Sequence, residues 1–212
     1  AINADESQLE SMGPYAFSQT GLKEFPIPAN VNIIEEGLLS SCLQLKRTTF
    51  SAKSKARVIK KYAFANNPLL QIVRAPKTIQ ELSGKAFINT PSLITLFNES
   101  NALFEVTKDL TVYGKDRSLV FVPRHVTSVL VLPKCPVIHS GAFCGPKLKS
   151  VQFLDESLLM IERGAFAHAT GLKTISLPKS LQVIGSDAFV GCQGLETVIF
   201  DSNCQLLNIP KF

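Results

Sequence analysis

A short repeat governs what this chain can fold into. The dipeptide Ala-Phe occurs six times, at Ala16-Phe17, Ala63-Phe64, Ala86-Phe87, Ala142-Phe143, Ala165-Phe166 and Ala188-Phe189. Three of the gaps between successive copies are 23 residues long. A fixed period of this length predicts a solenoid, in which each copy forms one coil and buries its apolar edge only by stacking on its neighbours. We therefore expect function to lie on surfaces and not in a single pocket.

The clearest copy of the repeat begins at Leu172 and reads LKTISLPKSLQVIGSDAFVGC. Leu172, Ile175 and Leu177 predict a short strand with one buried face, and Pro178 ends it by removing a backbone donor. Phe189 is expected to fill the interior of its coil, because a column of buried rings would hold neighbouring coils together. Counterparts of this strand begin at Leu22, Leu45, Leu70, Leu93, Val126, Leu148 and Leu195, which predicts a parallel ladder.

This pattern closely resembles the BspA-type leucine-rich repeats, a 23-residue class found on surface proteins of oral and gut bacteria and expanded in trichomonads. The resemblance is most specific between Leu158 and Phe200. It departs from the family pattern where Leu38-Leu39 replaces Ala-Phe. The resemblance implies a β-rich α/β fold class: a right-handed leucine-rich-repeat solenoid with a parallel strand ladder and short helical turns.

One segment interrupts the period. The gap between Phe87 and Phe143 is 56 residues, which is one period plus 33. The runs 104–106, 110–113 and 118–122 favour strands, and Gly-Lys-Asp-Arg at 114–117 is typical of a turn. We predict an inserted β-hairpin, either packed on one edge or protruding as a contact surface, and favour the packed form. The chain is then one domain over 1–212, with repeats at about 1–97 and 124–212 and the insert at about 98–123.

Composition fits a folded protein, with 45% hydrophobic residues in 212. No run approaches the ~18 apolar residues that a bilayer span requires, so no membrane insertion by this segment is expected. The first residues lack the pattern of a signal peptide. Both ends fall inside a repeat without an obvious polar cap, which predicts either self-association through those ends or a longer array.

Catalytic and metal-binding signals are lacking. The chain carries no GxSxG elbow and no GxxxxGK loop, and its three histidines lie in different repeats. We therefore expect no cofactor, no metal and no enzymatic activity, although an enzyme with a site built between repeats stays open as a third class. The five cysteines are interpreted mainly as buried packing residues, with Cys135 and Cys144 as the one pair able to form a disulfide within the chain.

The outward positions near the start of each strand vary while the apolar frame is kept. Stacking should align them into a basic strip with an apolar middle, which we predict as the partner-binding site. Its members are Lys23, Lys46, Arg47, Ile72, Arg74, Ile94, Phe97, Lys149 and Lys173. A solvated face whose lysines discourage sheet aggregation is the alternative interpretation.

The net charge of +5 favours an acidic protein ligand. Nucleic acid is not expected, because the repeat assigns the aromatic side chains to the interior and leaves none for base stacking. The family resemblance implies a protein-binding module of the cell surface or a secreted one, acting in adhesion or on host or matrix proteins. An intracellular scaffold in the cytoplasm is the alternative. Asn98 is a candidate glycosylation site, since Asn98-Glu99-Ser100 is a permitted acceptor.

Overall fold

Short parallel strands joined by turns make up nearly all of the regular structure. The computed structural model describes residues 4–97, 100–204 and 206–207. It divides into unit 1, Ala1–Leu110, and unit 2, Thr111–Phe212. In both units the strands stack coil upon coil, which confirms the predicted leucine-rich-repeat solenoid with its parallel ladders. The assignment of 1–212 to one domain stays a prediction.

Unit 1 contains two parallel ladders. The first has the order β1-β3-β5 and the second β2-β4-β6. A single parallel bridge between Ile72 and Thr95 extends the first ladder by one coil. The strands are β1 Glu24–Ile27, β2 Ile33–Ile34, β3 Arg47–Phe50, β4 Val58–Ile59, β5 Ile72–Arg74, β6 Glu81–Leu82 and β7 Phe104–Val106.

Unit 2 repeats this arrangement. On one wall β10 pairs with β12 and β14 pairs with β16, all in parallel, and β12 lies beside β14. The other wall has the order β15-β13-β11-β9-β8. The strands are β8 Val112–Gly114, β9 Leu119–Phe121, β10 Ser128–Val131, β11 Val137–Ile138, β12 Ser150–Phe153, β13 Met160–Ile161, β14 Thr174–Leu177, β15 Val183–Ile184 and β16 Thr197–Phe200.

The predicted hairpin is confirmed, and it is packed. Strands β8 and β9 pair antiparallel around a tip at 115–117, where the side chains are exposed. Strand β9 also joins the parallel ladder, because Leu119 pairs with Ile138 of β11. Val112, Leu119 and Phe121 are buried, so the insert contributes a wall of unit 2 and does not project from it.

Phenylalanine rings form the predicted interior column. In unit 2 the ring of Phe166 stacks on Phe143 at 4.5 Å between centroids and on Phe189 at 4.9 Å. In unit 1 Phe64 stacks on Phe87 at 5.3 Å. These parallel contacts explain the fixed period, because a ring displaced by one residue would lose both neighbours.

Short helical turns are rarer than the sequence predicts. Among the described residues only the 3-10 helix Gly84–Phe87 is helical, and the chain at the other Ala-Phe sites forms non-helical turns. The reason is backbone conformation: Gly164 and His168, which flank Phe166 two residues away on either side, both have φ near +60°. Left-handed residues at this spacing prevent a helix from propagating. The fold class is therefore almost entirely β.

In several coils the residue three positions after the phenylalanine donates a side-chain hydrogen bond to a phenylalanine carbonyl, whereas Pro146 and Ala169 at this position have no side-chain donor. Asn67 Nδ2 donates to the carbonyl of Phe64 at 2.7 Å, and Thr90 Oγ1 donates to that of Phe87 at 2.6 Å. Cys192 Sγ instead donates to the carbonyl of Phe166, in the preceding coil, at 3.0 Å. A cysteine, a threonine and an asparagine are interchangeable here because each brings a donor to a buried carbonyl.

All five cysteines are free thiols. Cys42, Cys135 and Cys144 are buried, whereas Cys192 and Cys204 are partly exposed. The disulfide considered between Cys135 and Cys144 is not formed; their sulfurs donate to the carbonyls of Val137 and Gly164. The thiols therefore serve as packing and capping groups.

Candidate partner-binding faces

The first strand wall of unit 1 carries a column of exposed side chains. Lys46 N donates to Lys23 O at 2.8 Å, Gln71 N to Lys46 O at 2.9 Å, and Ile94 N to Gln71 O at 2.9 Å. These bonds place Lys23, Lys46, Gln71 and Ile94 one above the other, as the stacking prediction requires. The lysines are exposed, and Ile94 is 39% exposed.

A second column lies beside the first. Arg47 stands between Glu24 and Ile72 in the parallel register. Its guanidinium forms a salt bridge with Glu24 at 2.5 Å, in which both side chains are half exposed. Arg74 aligns with Thr49 and is exposed. The charge of Arg47 is thus offset within the face, whereas, among the described residues, Lys23, Lys46 and Arg74 have no salt-bridge partner.

Phe97 must be removed from the predicted binding residues. Its side chain is 2% exposed and stacks on Phe104 at 5.4 Å between ring centroids. Counting along the repeat places Phe97 at an outward position, but strand pairing on this wall stops at the single bridge of Thr95. The chain therefore leaves the regular register there and turns the ring inward. The candidate glycosylation site Asn98 lies outside the described residues.

In unit 2 the two predicted lysines lie just before strands of the first wall. Lys149 N donates to Thr127 O at 2.7 Å, and Lys173 O accepts from Glu196 N at 2.9 Å. Both lysine side chains are exposed. Glu196 follows Lys173 in this column, so the charge of unit 2 at this position is mixed.

A groove on the strand face of unit 2 escaped the sequence analysis. It has a volume of about 500 Å³ and is lined by Leu130 and Ile199, which are half exposed, together with Asp155, Glu156 and Asp201. The floor of the groove is formed by the middle outward residue of each strand, namely Leu130, Gln152, Ser176 and Ile199. The predicted strip uses an earlier position of each unit 2 strand, and aligning this middle position across the copies would have shown that Leu130 and Ile199 are apolar.

One acid of this groove has a structural task. Asp155 accepts bonds from Lys134 N at 2.8 Å and from Ser157 N at 3.2 Å. Hydrogen bonding by Ser157 and Lys134 lowers the pKa of this exposed carboxyl. Asp155 therefore fixes a turn, and Glu156 and Asp201 are the acids more available to a ligand.

The closest approach to a catalytic arrangement lies on the second wall of unit 2. His139 Nδ1 is 3.2 Å from Glu162 Oε1, and Ser140 N and Oγ both donate to Glu162 Oε2, at 2.8 and 3.1 Å. Hydrogen bonding to Glu162 raises the pKa of His139, and the same bond lowers the pKa of Glu162 to about 2. Because the hydroxyl of Ser140 bonds the carboxylate and not the imidazole, His139 is not placed to activate it.

Within residues 4–97, 100–204 and 206–207, no cluster of three or more histidine, cysteine or acidic side chains has the arrangement of a metal site. The part of the chain that the structure describes also has no helix of the length and apolarity that a membrane crossing requires.

Comparison with known proteins gives a consistent result. The family model described as "BspA type Leucine rich repeat region" matches in six copies, over residues 2–107 and 121–212. Among solved structures, the chain is similar to the pneumococcal vaccine antigen PcpA, with 28% identity and a TM-score of 0.77 over 93% of this chain and 55% of that one. No match is found among curated proteins.

Two more distant structures share the fold. A leucine-rich cell surface protein from Faecalibacterium prausnitzii A2-165 is 19% identical with a TM-score of 0.61, over 94% of this chain and 66% of that one. A leucine-rich repeat protein from Eubacterium ventriosum is 17% identical with a TM-score of 0.55, over 84% of this chain and 60% of that one. The chain thus spans between 55% and 66% of the length of these three structures.

Proposed function

This chain belongs to the BspA-type leucine-rich repeat family, and from that premise we propose that it is a non-enzymatic protein-binding module of a cell surface or of a secreted protein. The repeat family itself indicates a protein-interaction module. The cell-surface assignment is supported by the similarity to PcpA, a vaccine antigen. The absence of enzymatic activity is supported by the family and fold, which are generally non-catalytic.

The observation that carries the proposal is the charge on the strand face of unit 1. Lys23 and Lys46 stand in one column, and Arg74 lies on the same wall. Ile94, 39% exposed, and the half-buried Ile72 supply apolar area beside these cations. A partner that offers carboxylates around an apolar side chain would complement this face, so the ligand is an acidic protein surface, such as that of a host or matrix protein.

Electrostatic complementarity of this kind acts mainly on the rate of association. Exposed charges contribute only about 0–1 kcal/mol each, so single substitutions are expected to have small effects. The combined variant Lys23→Glu, Lys46→Glu, Arg74→Glu should slow association by an order of magnitude or more and flatten its dependence on salt.

The control is a reversal of equal size elsewhere on unit 1. Lys53, Lys55 and Arg57 are exposed and lie beyond the strands of the first wall. Their triple change to Glu alters the net charge by the same amount. Association with immobilised extracellular-matrix and cell-surface proteins would be measured at about 50 and 300 mM salt, on either side of physiological screening. Equal loss in both variants would show that only net charge matters and would remove the face from the proposal.

Location is tested separately from binding. Antibody against this chain should label intact cells of the source organism or its culture medium. Labelling only after permeabilisation would favour the alternative, an intracellular protein-interaction scaffold. A measured turnover of any substrate, abolished by substitution of His139 or Glu162, would instead support the enzyme class.

Self-association is a second candidate, favoured by strand β16. Its side chains are all exposed, with Val198, Ile199 and Phe200 at 38%, 48% and 45%. Val198 and Phe200 line a largely apolar cavity of about 510 Å³ with Phe189. Sedimentation velocity over a range of protein concentrations should reveal oligomers. The Phe200→Ser variant should be monomeric, whereas the control variant Leu43→Ser, also changed at an exposed apolar residue, should still form oligomers. A monomer at all concentrations would refute it.

A further inference from the structure

A surface cleft of unit 1 lies where the chain passes from the first strand wall to the second. Its volume is about 660 Å³. Ile33 and Val58, at the starts of β2 and β4, line it together with residues of the connections that precede β2, β4 and β6. A cleft of this size is large enough for one or two rings of a bound ligand.

The connections that form the cleft are fixed against one another. Arg57 N donates to Asn32 O at 2.8 Å, and Gln80 N donates to Arg57 O at 2.7 Å. A side chain also joins two of the coils, because Thr78 Oγ1 donates to Ala56 O at 2.6 Å. The cleft is therefore formed before a ligand arrives, and binding requires little ordering of the backbone.

Two cations lie side by side on the middle connection. Burial alternates there, with Ser54 and Ala56 buried and Lys55 and Arg57 exposed. This alternation is that of an extended segment, so Lys55 and Arg57 point the same way and are attached about 7 Å apart. Neither forms a salt bridge among the described residues. The described residues that line the cleft include no acid, and Glu81 is not one of them.

Neutral groups complete the lining of the cleft. The exposed amides of Asn32 and Gln80 each offer a hydrogen-bond donor and an acceptor. Ile33, 39% exposed, and the half-buried Val58 add an apolar strip. No aromatic residue is found among the described residues of the lining. A ligand that matches the cleft thus combines anionic groups, hydroxyl groups and a small apolar face.

We propose that this cleft binds a sulfated polysaccharide. Its sulfate groups lie on Lys55 and Arg57, since a guanidinium binds an oxyanion through paired hydrogen bonds. Its hydroxyl groups bond the amides of Asn32 and Gln80, and the C–H face of a sugar ring packs on Ile33. Nucleic acid would meet no aromatic ring on which its bases could stack. The site is separate from the strand face of the partner-binding proposal, and either can fail without the other.

The first test measures binding of a heparin hexasaccharide of defined length by isothermal titration calorimetry. The double variant Lys55→Gln, Arg57→Gln should weaken binding by about tenfold or more, because two charge-assisted contacts are lost. The slope of log affinity against log salt should fall by between about one and two, as release of counterions from a polyanion requires. The control Lys23→Gln, Lys46→Gln removes the same charge from the strand face and should lose less than about threefold, because only screened long-range attraction changes. Equal losses in the two double variants would overturn the site.

The second test changes one atom of the lining. Gln80→Glu keeps the size of the side chain and places a negative charge in the cleft, which should weaken hexasaccharide binding by about tenfold. Gln71→Glu makes the same change on the strand face, where Gln71 is exposed, and should bind like wild type. Because both positions are exposed, both variants are expected to fold, and far-UV circular dichroism checks this. Equal affinity of the two variants would show that the hexasaccharide lies elsewhere.

The third test compares ligand classes at equal concentrations of negative charge. Desulfated heparin, hyaluronan, polyglutamate and polyuridylate should compete poorly with the hexasaccharide. Competition as strong as that of heparin by polyglutamate or polyuridylate would reduce the cleft to a general polyanion patch, and by hyaluronan would remove the role of sulfate; either result overturns the proposal. Protein ligands for the strand face are treated with heparin lyase beforehand, because the control reversal in that experiment includes Lys55 and Arg57.

Discussion

The stacked rings of unit 2 give the sharpest prediction, which concerns Phe166→Ala. The side chain is fully buried, and its ring contacts Phe143 on one side and Phe189 on the other, with interplanar angles of 4° and 13°. Truncating a buried phenylalanine costs ~3–5 kcal/mol through lost transfer free energy and the cavity left behind. Two lost ring pairs, at ~0.5–1.5 kcal/mol each, place this site toward the upper end of that range.

The assay is urea unfolding followed by far-UV circular dichroism, because the chain has no tryptophan. Phe189→Ala is the matched control: its ring is partly exposed and stacks on Phe166, so its loss should be about half as large. Lys173→Ala, at an exposed site, should stay within about 0.5 kcal/mol of wild type. Hydrogen exchange should show faster opening in the coils on both sides of Phe166, since each coil is stabilised by its neighbours.

A loss below about 1 kcal/mol for Phe166→Ala would contradict the argument, because a fully buried ring cannot be removed at so small a cost without relaxation of the column. Equal losses for Phe166→Ala and Phe189→Ala would contradict it in another way. They would show that contact on both faces of a ring adds nothing to contact on one.

Three further predictions concern polar groups. Asn67→Ala should destabilise unit 1 by about 2–5 kcal/mol in the same unfolding assay, since it removes three buried hydrogen bonds, including one to Cys42 N at 2.7 Å. Thiol titration should label Cys42 only on unfolding, while the partly exposed Cys192 reacts earlier but slowly because burial raises its pKa. The His139 pKa is raised above 6.5 and the Glu162 pKa is lowered from 4.5 to about 2, so their stabilisation is complete between pH 4.5 and 6.5. Stability measured against pH should show the loss in His139→Gln to be largest in that window and to shrink as pH rises through the folded pKa of His139; a pH-independent loss would contradict the pairing.

The burial of the repeated apolar residues was predictable, because each of them packs against the residue at the same repeat position in the neighbouring coil. The burial of Leu172, Ile175 and Leu177 and the ring column follow from the period alone. The hairpin was also predictable from its strand-forming runs and turn residues. The pairing of β9 with β11 in the parallel ladder could not be predicted. The insert breaks the 23-residue period, so the period no longer shows that Leu119 aligns with Ile138.

The candidate site was predictable only in part. Alignment of Lys23 with Lys46 follows from the period, and the structure places them so. Phe97 shows where the reasoning ends: a repeat position defines a direction only while the next strand is present to fix the register. The contacts of Arg124 were equally hidden: its guanidinium donates to the carbonyls of Ala142 and Gly141 at 3.0 Å each, and a single arginine after a proline gives no sign of them.

The capping bonds made by Asn67, Thr90 and Cys192 bear on where the chain can be divided into fragments. Thr90 and Asn67 cap the carbonyl of their own coil, so a fragment that stops after either residue carries its own cap. Ala169 brings no side-chain donor, so the carbonyl of Phe166 accepts from Ala169 N at 3.0 Å and takes its second donor, Cys192 Sγ, from the following coil. A truncation between those two residues would remove that second donor, and a cut before Phe189 would also shorten the ring column. Viable fragment boundaries are therefore set by where each donor comes from, and not by the 23-residue period.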